Sequence, residues 1–388
     1  TPLYSSAASD VYKRQVVMRA GTGAISLNGH STGTGDFSGI NLYPGNDLVG
    51  ATVNMRGVTG YNALGEGGSG IFGYYNSSAK TVIHATASFA TDTPAVQLYS
   101  ESGSSWGSLF GPWVSSSTDG ITVRASGDRA GVVITGTTSR AAMVGLWIGG
   151  LTLETKNGPT ILDSADDYSV LGRPGRTFTY RPVGGPGGDI TFRTAHNTDF
   201  QPVDISTAGK VSYLPSGTGF TFAQTFPAAG STINVGGLEV GSVNNTADLT
   251  VGAAITSSSN VVYRGGIQTA NVAITTTGSG NIEFYPTTTF SKSTNAFNSG
   301  GSILIGSESS PAGALTLSTG NLTAGADVKI YSSGTITQGA AIVAGDEIVL
   351  TATGSATNVL ANSGLSAGAG GISLKAQQDV IFLSLIHI

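Results

Sequence analysis

The chain is built from short words of the form apolar, any residue, apolar, each bounded by Gly, Asn or Asp. Ten clear instances are Ile25/Leu27, Ile40/Leu42, Val53/Met55, Ile121/Val123, Ile190/Phe192, Ile282/Phe284, Leu315/Leu317, Val328/Ile330, Ile348/Leu350 and Ile372/Leu374. Nine of the ten middle residues are polar, Val349 being the exception. Alternate side chains of an extended segment face opposite sides. Each word therefore predicts a short strand with one buried and one wet face. The phrases also return: "GDEIVLTATG" from Gly345 is echoed by "ADVKIYSSG" from Ala326, "GGISLKAQ" from Gly370, "GNIEFYPT" from Gly280 and "GGDITFRT" from Gly187. No segment sustains a 3.6-residue period, and glycine interrupts every candidate helix, so essentially no helix is expected.

Late in the chain the apolar pairs begin at positions 303, 315, 328, 348 and 372. The uneven gaps suit rungs of a coil with variable turns better than a strict array. A row of β-sandwiches is the competing architecture, but it favours longer strands and larger aromatic cores. The fold predicted is all-β: a parallel β-helix, right-handed by the usual crossover preference. At about 20–25 residues per rung and ~4.8 Å between rungs, it forms a rod on the order of 70–90 Å long. Asp189, Asn281, Asp327 and Asp346 are expected at its corners, bonded to nearby backbone.

Composition agrees with many strands and tight turns. Of 388 residues 58 are Gly, and only 11% are charged while 39% are hydrophobic. Disordered chains show the opposite balance, poor in apolar residues and rich in charge. The net charge of −5 and the lack of a Lys/Arg cluster argue against nucleic acid and anionic membrane as partners. With no cysteine, disulfides and thiolate metal sites are excluded. No apolar run approaches the ~20 residues of a membrane-spanning helix, so no transmembrane segment is expected.

The two ends differ from the rest. "SSAASDVYKRQ" (Ser5 to Gln15) and "LSLIHI" (Leu383 to Ile388) look like translated linker sequence of the kind found at the ends of metagenomic reading frames. Residues 1–15 and 383–388 are therefore set apart from a β-helical region over 16–382, which is expected to be an internal fragment of a longer protein.

The stretch from Gly236 to Phe284, "GGLEVGSVNNTADLTVGAAITSSSNVVYRGGIQTANVAITTTGSGNIEF", continuing through "GSILIGS" and "GDEIVLTATG", resembles the repeat region of filamentous-haemagglutinin-like adhesins. "GTGAISLNGHSTGTGDFSGINLYPG" (Gly21 to Gly45) has the same style. The resemblance covers most of Val16 to Phe382 and is one of repeat style, without a unique motif. It implies a β-helical stalk or passenger of a large Gram-negative surface protein, exported by two-partner secretion or as an autotransporter. It also implies an outer-membrane secretion partner and contacts with glycans or proteins of host or neighbouring cell surfaces.

Candidate chemistry is sparse. "GGPGGDITF" (Gly184 to Phe192) nearly matches a calcium-binding nonapeptide, with Asp189 as the acid, but Thr191 stands where a large apolar residue belongs and there is one copy. "LDSADDYS" gathers Asp163, Asp166 and Asp167, oxygen ligands of the type calcium takes. Without the spacing of an EF-hand, a solvated loop is the simpler expectation. "SWGSLFGPW" carries Trp106 and Trp113, whose faces could stack on sugar rings, while Trp147 in "VGLWIGG" reads as core. Parallel β-helices also include pectin-degrading enzymes. "HNTD" (His196 to Asp199) and the Asp166-Asp167 pair are similar to polygalacturonase carboxylates, but they occur in reversed order, and no Gly-His-Gly or Arg-Ile-Lys element follows. His30, His84 and His196 lie far apart without ligand spacing. The threonine runs Thr275–Thr277 and Thr287–Thr289 lack the even spacing of an ice-binding face. The expectation is a non-enzymatic, cofactor-free shaft of a secreted surface adhesin; the alternative is a β-helical polysaccharide lyase or glycoside hydrolase.

Overall fold

Every apolar word becomes a strand, and the strands stack in parallel. The computed structural model describes residues 17–31, 39–42, 45–59, 71–73, 81–102, 121–138, 144–148, 150–164, 168–171, 177–195, 197–200 and 202–382. Among these residues there is no helix. Two sheets of 14 strands run the length of the molecule, the first from Val17–Arg19 to Leu365–Ser366 and the second from Ala24–Ser31 to Gly371–Lys375. A third face is assembled in pieces: two strands (Ile40–Leu42 and Ile71–Gly73), three strands beginning at Val144–Ile148, and eight running from Gln224–Thr225 to Val380–Phe382. Each turn of the coil contributes one strand to the first face, then one to the second. In most turns a third strand follows, and the chain returns one level along. The result is a parallel β-helix of fourteen rungs.

Register brings like residues into line. On the second face Val211, Leu238, Val261, Ile282, Ile303, Val328, Ile348 and Ile372 stand one above another. Two residues along, a second inward column includes Phe192, Tyr213, Val240, Tyr263, Phe284, Ile305, Ile330 and Leu350. On the first face one large apolar residue per rung does the same work, through Leu48, Ile83, Val123, Leu153, Tyr180, Ile205, Ile233, Ile255, Ile274, Phe297, Leu322 and Ile342. These columns merge into a single core that runs from Ile25 to Val359.

Aromatic rings pack together in the middle of the core. Tyr213 stacks on Phe226 at 4.5 Å and on Phe220 at 5.1 Å; Tyr263 stacks on Phe284 at 5.3 Å, and Phe284 on Phe297 at 5.6 Å. A buried phenol needs a partner, and each finds one. Tyr213 donates to Gln224 Oε1 (2.7 Å), Tyr263 donates to the Phe226 carbonyl (2.8 Å), and the Tyr180 hydroxyl bonds Thr155 and accepts from the Gly188 N–H.

The corner acids and amides perform a longer-range task than a local turn requires. Asp189 Oδ1 accepts from the Lys210 backbone N–H at 2.8 Å, Asn281 Oδ1 from Ser302 at 2.9 Å, Asp327 Oδ1 from Glu347 at 3.3 Å and Asp346 Oδ1 from Gly370 at 2.7 Å. Each bond ties one rung to the next at the turn between the first two faces, where the sheet ladders are interrupted.

Rung length departs from expectation in one half of the coil. Asp47 pairs with Val82 and Val82 with Thr122, steps of 35 and 40 residues. By contrast Ile255 pairs with Ile274 and Leu322 with Ile342, steps of 19 and 20. Long insertions between the strands of early rungs consume sequence without adding height. Fourteen rungs at ~4.8 Å therefore span roughly 60–65 Å, shorter than uniform rungs of 20–25 residues would give.

Candidate functional site

The outward positions of the second face carry the richest chemistry. Register places Glu239, Val262 and Glu283 in one outward row on three successive rungs. On the middle rung Asn260 and Arg264 flank Val262 at two-residue spacing and so share its face. In the column at the strand entrance, Lys210, Gly237, Asn260 and Asn281 follow one another. Gly237 alone lacks a side chain there. A Cβ at that position would meet only ordinary contacts, 3.5 Å from the Asn260 carbonyl and 3.6 Å from Lys210 Cγ. The missing side chain opens a cleft of about 490 Å³ lined by Asp189, Lys210, Glu239, Asn260, Val262, Arg264 and Glu283, among others.

The charges in the cleft are ordered. Glu239 bridges two cations: Lys210 Nζ bonds its Oε2, and Arg264 Nη1 donates to its Oε1 at 2.8 Å. Glu283 is held by neutral donors, the Tyr285 hydroxyl at 2.9 Å, Asn281 Nδ2 at 3.1 Å and Asn260 Nδ2 at 3.4 Å. Arg264 also lies 5.2 Å from the centre of the Tyr285 ring. Burial, reinforced by the bond to Glu283, pushes the Tyr285 phenol up to about 12. A smaller cleft of about 250 Å³ beyond Arg264 is lined by Val243, Asn245, Tyr285, Thr287 and Ser310. Another of about 250 Å³ lies on the early rungs of the same face, around Asn54, Arg56, Gln97 and Tyr99. There Arg56 lies 5.2 Å from the Tyr99 ring centre, and Tyr99 donates to Glu101 at 3.2 Å.

The residues singled out in the sequence are scattered. Asp163 faces Arg193 across 3.9 Å, and Asp189 caps the next rung's backbone. Trp106, Trp113, Asp166, Asp167 and His196 lie outside the described residues, as do 1–15 and 383–388. Trp147 belongs to the third-face strand Val144–Ile148, and Asp199 to Asn197–Phe200. His30 is exposed on the second face, whereas His84 is on the first, bonded to Ser126 Oγ at 2.8 Å. Burial, then the neighbouring Arg124 guanidinium, pushes the His84 imidazole below its ordinary value. Among the described residues, no group of three or more His, Asp or Glu side chains comes together in a way that could hold a metal ion. The described residues hold no helix long and apolar enough to cross a membrane.

One buried cation escaped the sequence reading. Lys292 occupies an inward position of the third face, in register with Leu317, and is 1% exposed. Its Nζ donates to the Thr319 carbonyl at 2.7 Å and to the Gly320 carbonyl, and sits 5.2 Å from the centre of the Phe297 ring. Burial pushes its amine down to about 8. Comparison with protein-family models, curated proteins and solved structures finds no match to this chain.

Proposed function

We propose that the chain is a non-enzymatic shaft segment of a secreted bacterial surface adhesin, of the filamentous-haemagglutinin-like or autotransporter type. The observation that supports this reading is the continuity of the inward columns across fourteen rungs. A uniform core extended by repetition builds length, and length holds binding surfaces away from the cell that displays them. Outward Asn234, Thr256, Thr275, Asn298 and Thr323 line up on the first face, and Thr250, Thr269, Ser291, Thr316 and Thr337 on the third, so weak contacts with glycans or proteins of an opposing surface would add as avidity.

The test is display. Bacteria carrying the chain fused to an outer-membrane anchor should adhere to epithelial or neighbouring bacterial cells more than bacteria carrying an unrelated β-helix of equal rung number. Equal adhesion would remove the adhesive role. Release of new reducing ends from a polysaccharide by the purified chain would replace this reading with the enzymatic one.

A further inference from the structure

The cleft opened by Gly237 has a composition that selects among ligands. Both of its cations are committed to Glu239, so an anionic ligand finds no unpaired positive charge and faces Asp189 and Glu283 as well. The carboxylates are engaged as well, Glu283 by Tyr285, Asn281 and Asn260 and Asp189 by the Lys210 backbone N–H, which lowers their pull on a cationic ligand. What is left over is neutral hydrogen-bonding capacity of both signs. A guanidinium has five N–H donors and an amide has two, while a carboxylate has about four acceptor sites. Arg264 spends one contact on Glu239, and Glu283 receives three donors. A hydroxyl is both donor and acceptor, so a ligand dense in hydroxyls can use both kinds of leftover valence at once. Between the polar walls Val262 offers an apolar floor for a C–H face. The volume falls in the range of small-ligand pockets, roughly 300–1,000 Å³. The polar rows repeat along the rod every ~4.8 Å, close to the length of one sugar residue in an extended glycan.

We propose that the cleft centred on Val262 and opened by Gly237 binds a short stretch of a neutral linear glycan through Arg264, Asn260 and Glu283. The proposal does not rest on the adhesive reading: a shaft without adhesive activity would still carry this site, and an adhesive shaft could lack it.

Calorimetric titration of the full chain with cellotetraose, xylotetraose, mannotetraose and tetra-N-acetylchitotetraose tests it, with tetragalacturonate as the charged arm. At least one neutral tetrasaccharide is expected to bind with a submillimolar Kd. Gly237→Gln puts a side chain where the neighbouring rungs carry Lys210 and Asn260, and should weaken that binding by about tenfold or more. Tyr99→Ala, in the separate early cleft, should leave it unchanged. A second measurement does not depend on any variant: the bound sugar should slow amide hydrogen exchange over 260–264 and 281–285. Three results would overturn the proposal: no neutral sugar binds, tetragalacturonate binds alone, or binding proceeds with neither sensitivity to Gly237→Gln nor protection of those segments.

Discussion

Lys292 is where one residue most clearly works against the fold around it. The positions it stacks with hold apolar or neutral side chains, such as Leu317 and Gln338. An ammonium taken out of water costs several kcal/mol before its hydrogen bonds offset part of that. The two turn carbonyls compensate incompletely, which is why the amine is pushed from the ordinary 10.5 to about 8. Unfolded, Lys292 keeps its proton up to the ordinary value; folded, it releases the proton at about 8. Between those values the unfolded chain binds more protons, so stability rises as pH climbs from about 8 to 10.5. Lys292→Met should therefore stabilise the protein at pH 7 by roughly 1–3 kcal/mol, less than the full shift because the ammonium retains its carbonyl partners. The variant should also lose this part of the rise above pH 8. Denaturant melts of both proteins at pH 7, 8, 9 and 10 check this, and a less stable Lys292→Met at pH 7 would show that the carbonyl bonds outweigh desolvation.

Strand identity, unlike a buried lysine, could be read directly, though unevenly among the faces. Seven of the ten apolar words lie on the second face, where the described rungs point two large apolar residues inward except at Thr160–Asp163, in which Thr160 takes the first position. Late strands of the first face give no apolar word because their second inward position is small or polar: Ser257, Thr276, Ser299 and Ala324 are all buried. The third face hides for the same reason, with Gln224, Gln268, Lys292 and Gln338 at buried positions. The uneven gaps late in the chain come from mixing faces. Residue 315 belongs to the third, whereas 303, 328, 348 and 372 mark successive rungs of the second. The candidate cleft was illegible for a related reason. Glu239, Val262 and Glu283 adjoin only through register, and rung lengths of 23 and 21 residues do not reveal it. The available signal was a charged residue in or beside an apolar word, as in Leu238–Val240 and Ile282–Phe284, within a chain only 11% charged. The inward columns should carry the stability. Phe284→Ala, which removes a ring packed on Tyr263, Phe290 and Phe297, should cost about 3–5 kcal/mol. Thr316→Ala on a wet face should stay within about 0.5 kcal/mol. Equal losses in urea melts would mean that the aromatic stack is not a principal source of cohesion.

At the scale of the molecule, every long sheet is ordered by successive rungs, so each rung pairs only with its two neighbours. Stability is then close to a sum over rungs and their interfaces, and a whole rung can be added without redesign. Residues 322–341 form a natural unit, because Leu322 pairs with Ile342 and Val328 with Ile348, so the turn between the first two faces has the same length in both rungs. Duplicating 322–341 immediately after Ala341 puts Leu322 on Leu322, Val328 on Val328 and Ile330 on Ile330 at the new interface, then returns to the native pairings. The enlarged chain should fold to fifteen rungs, about 4.8 Å longer. Its β-sheet circular dichroism should be retained, and it should melt at or above the temperature of the parent. Duplicating only 322–331 is the matched control. It inserts half a rung, takes the strands that follow off their own faces and breaks every column at the insertion, so that chain should aggregate or lose its cooperative transition. If the half-rung insertion were tolerated as well as the full rung, lengthwise columns could not be what specifies this fold. If both failed, cohesion would have to reach beyond neighbouring rungs.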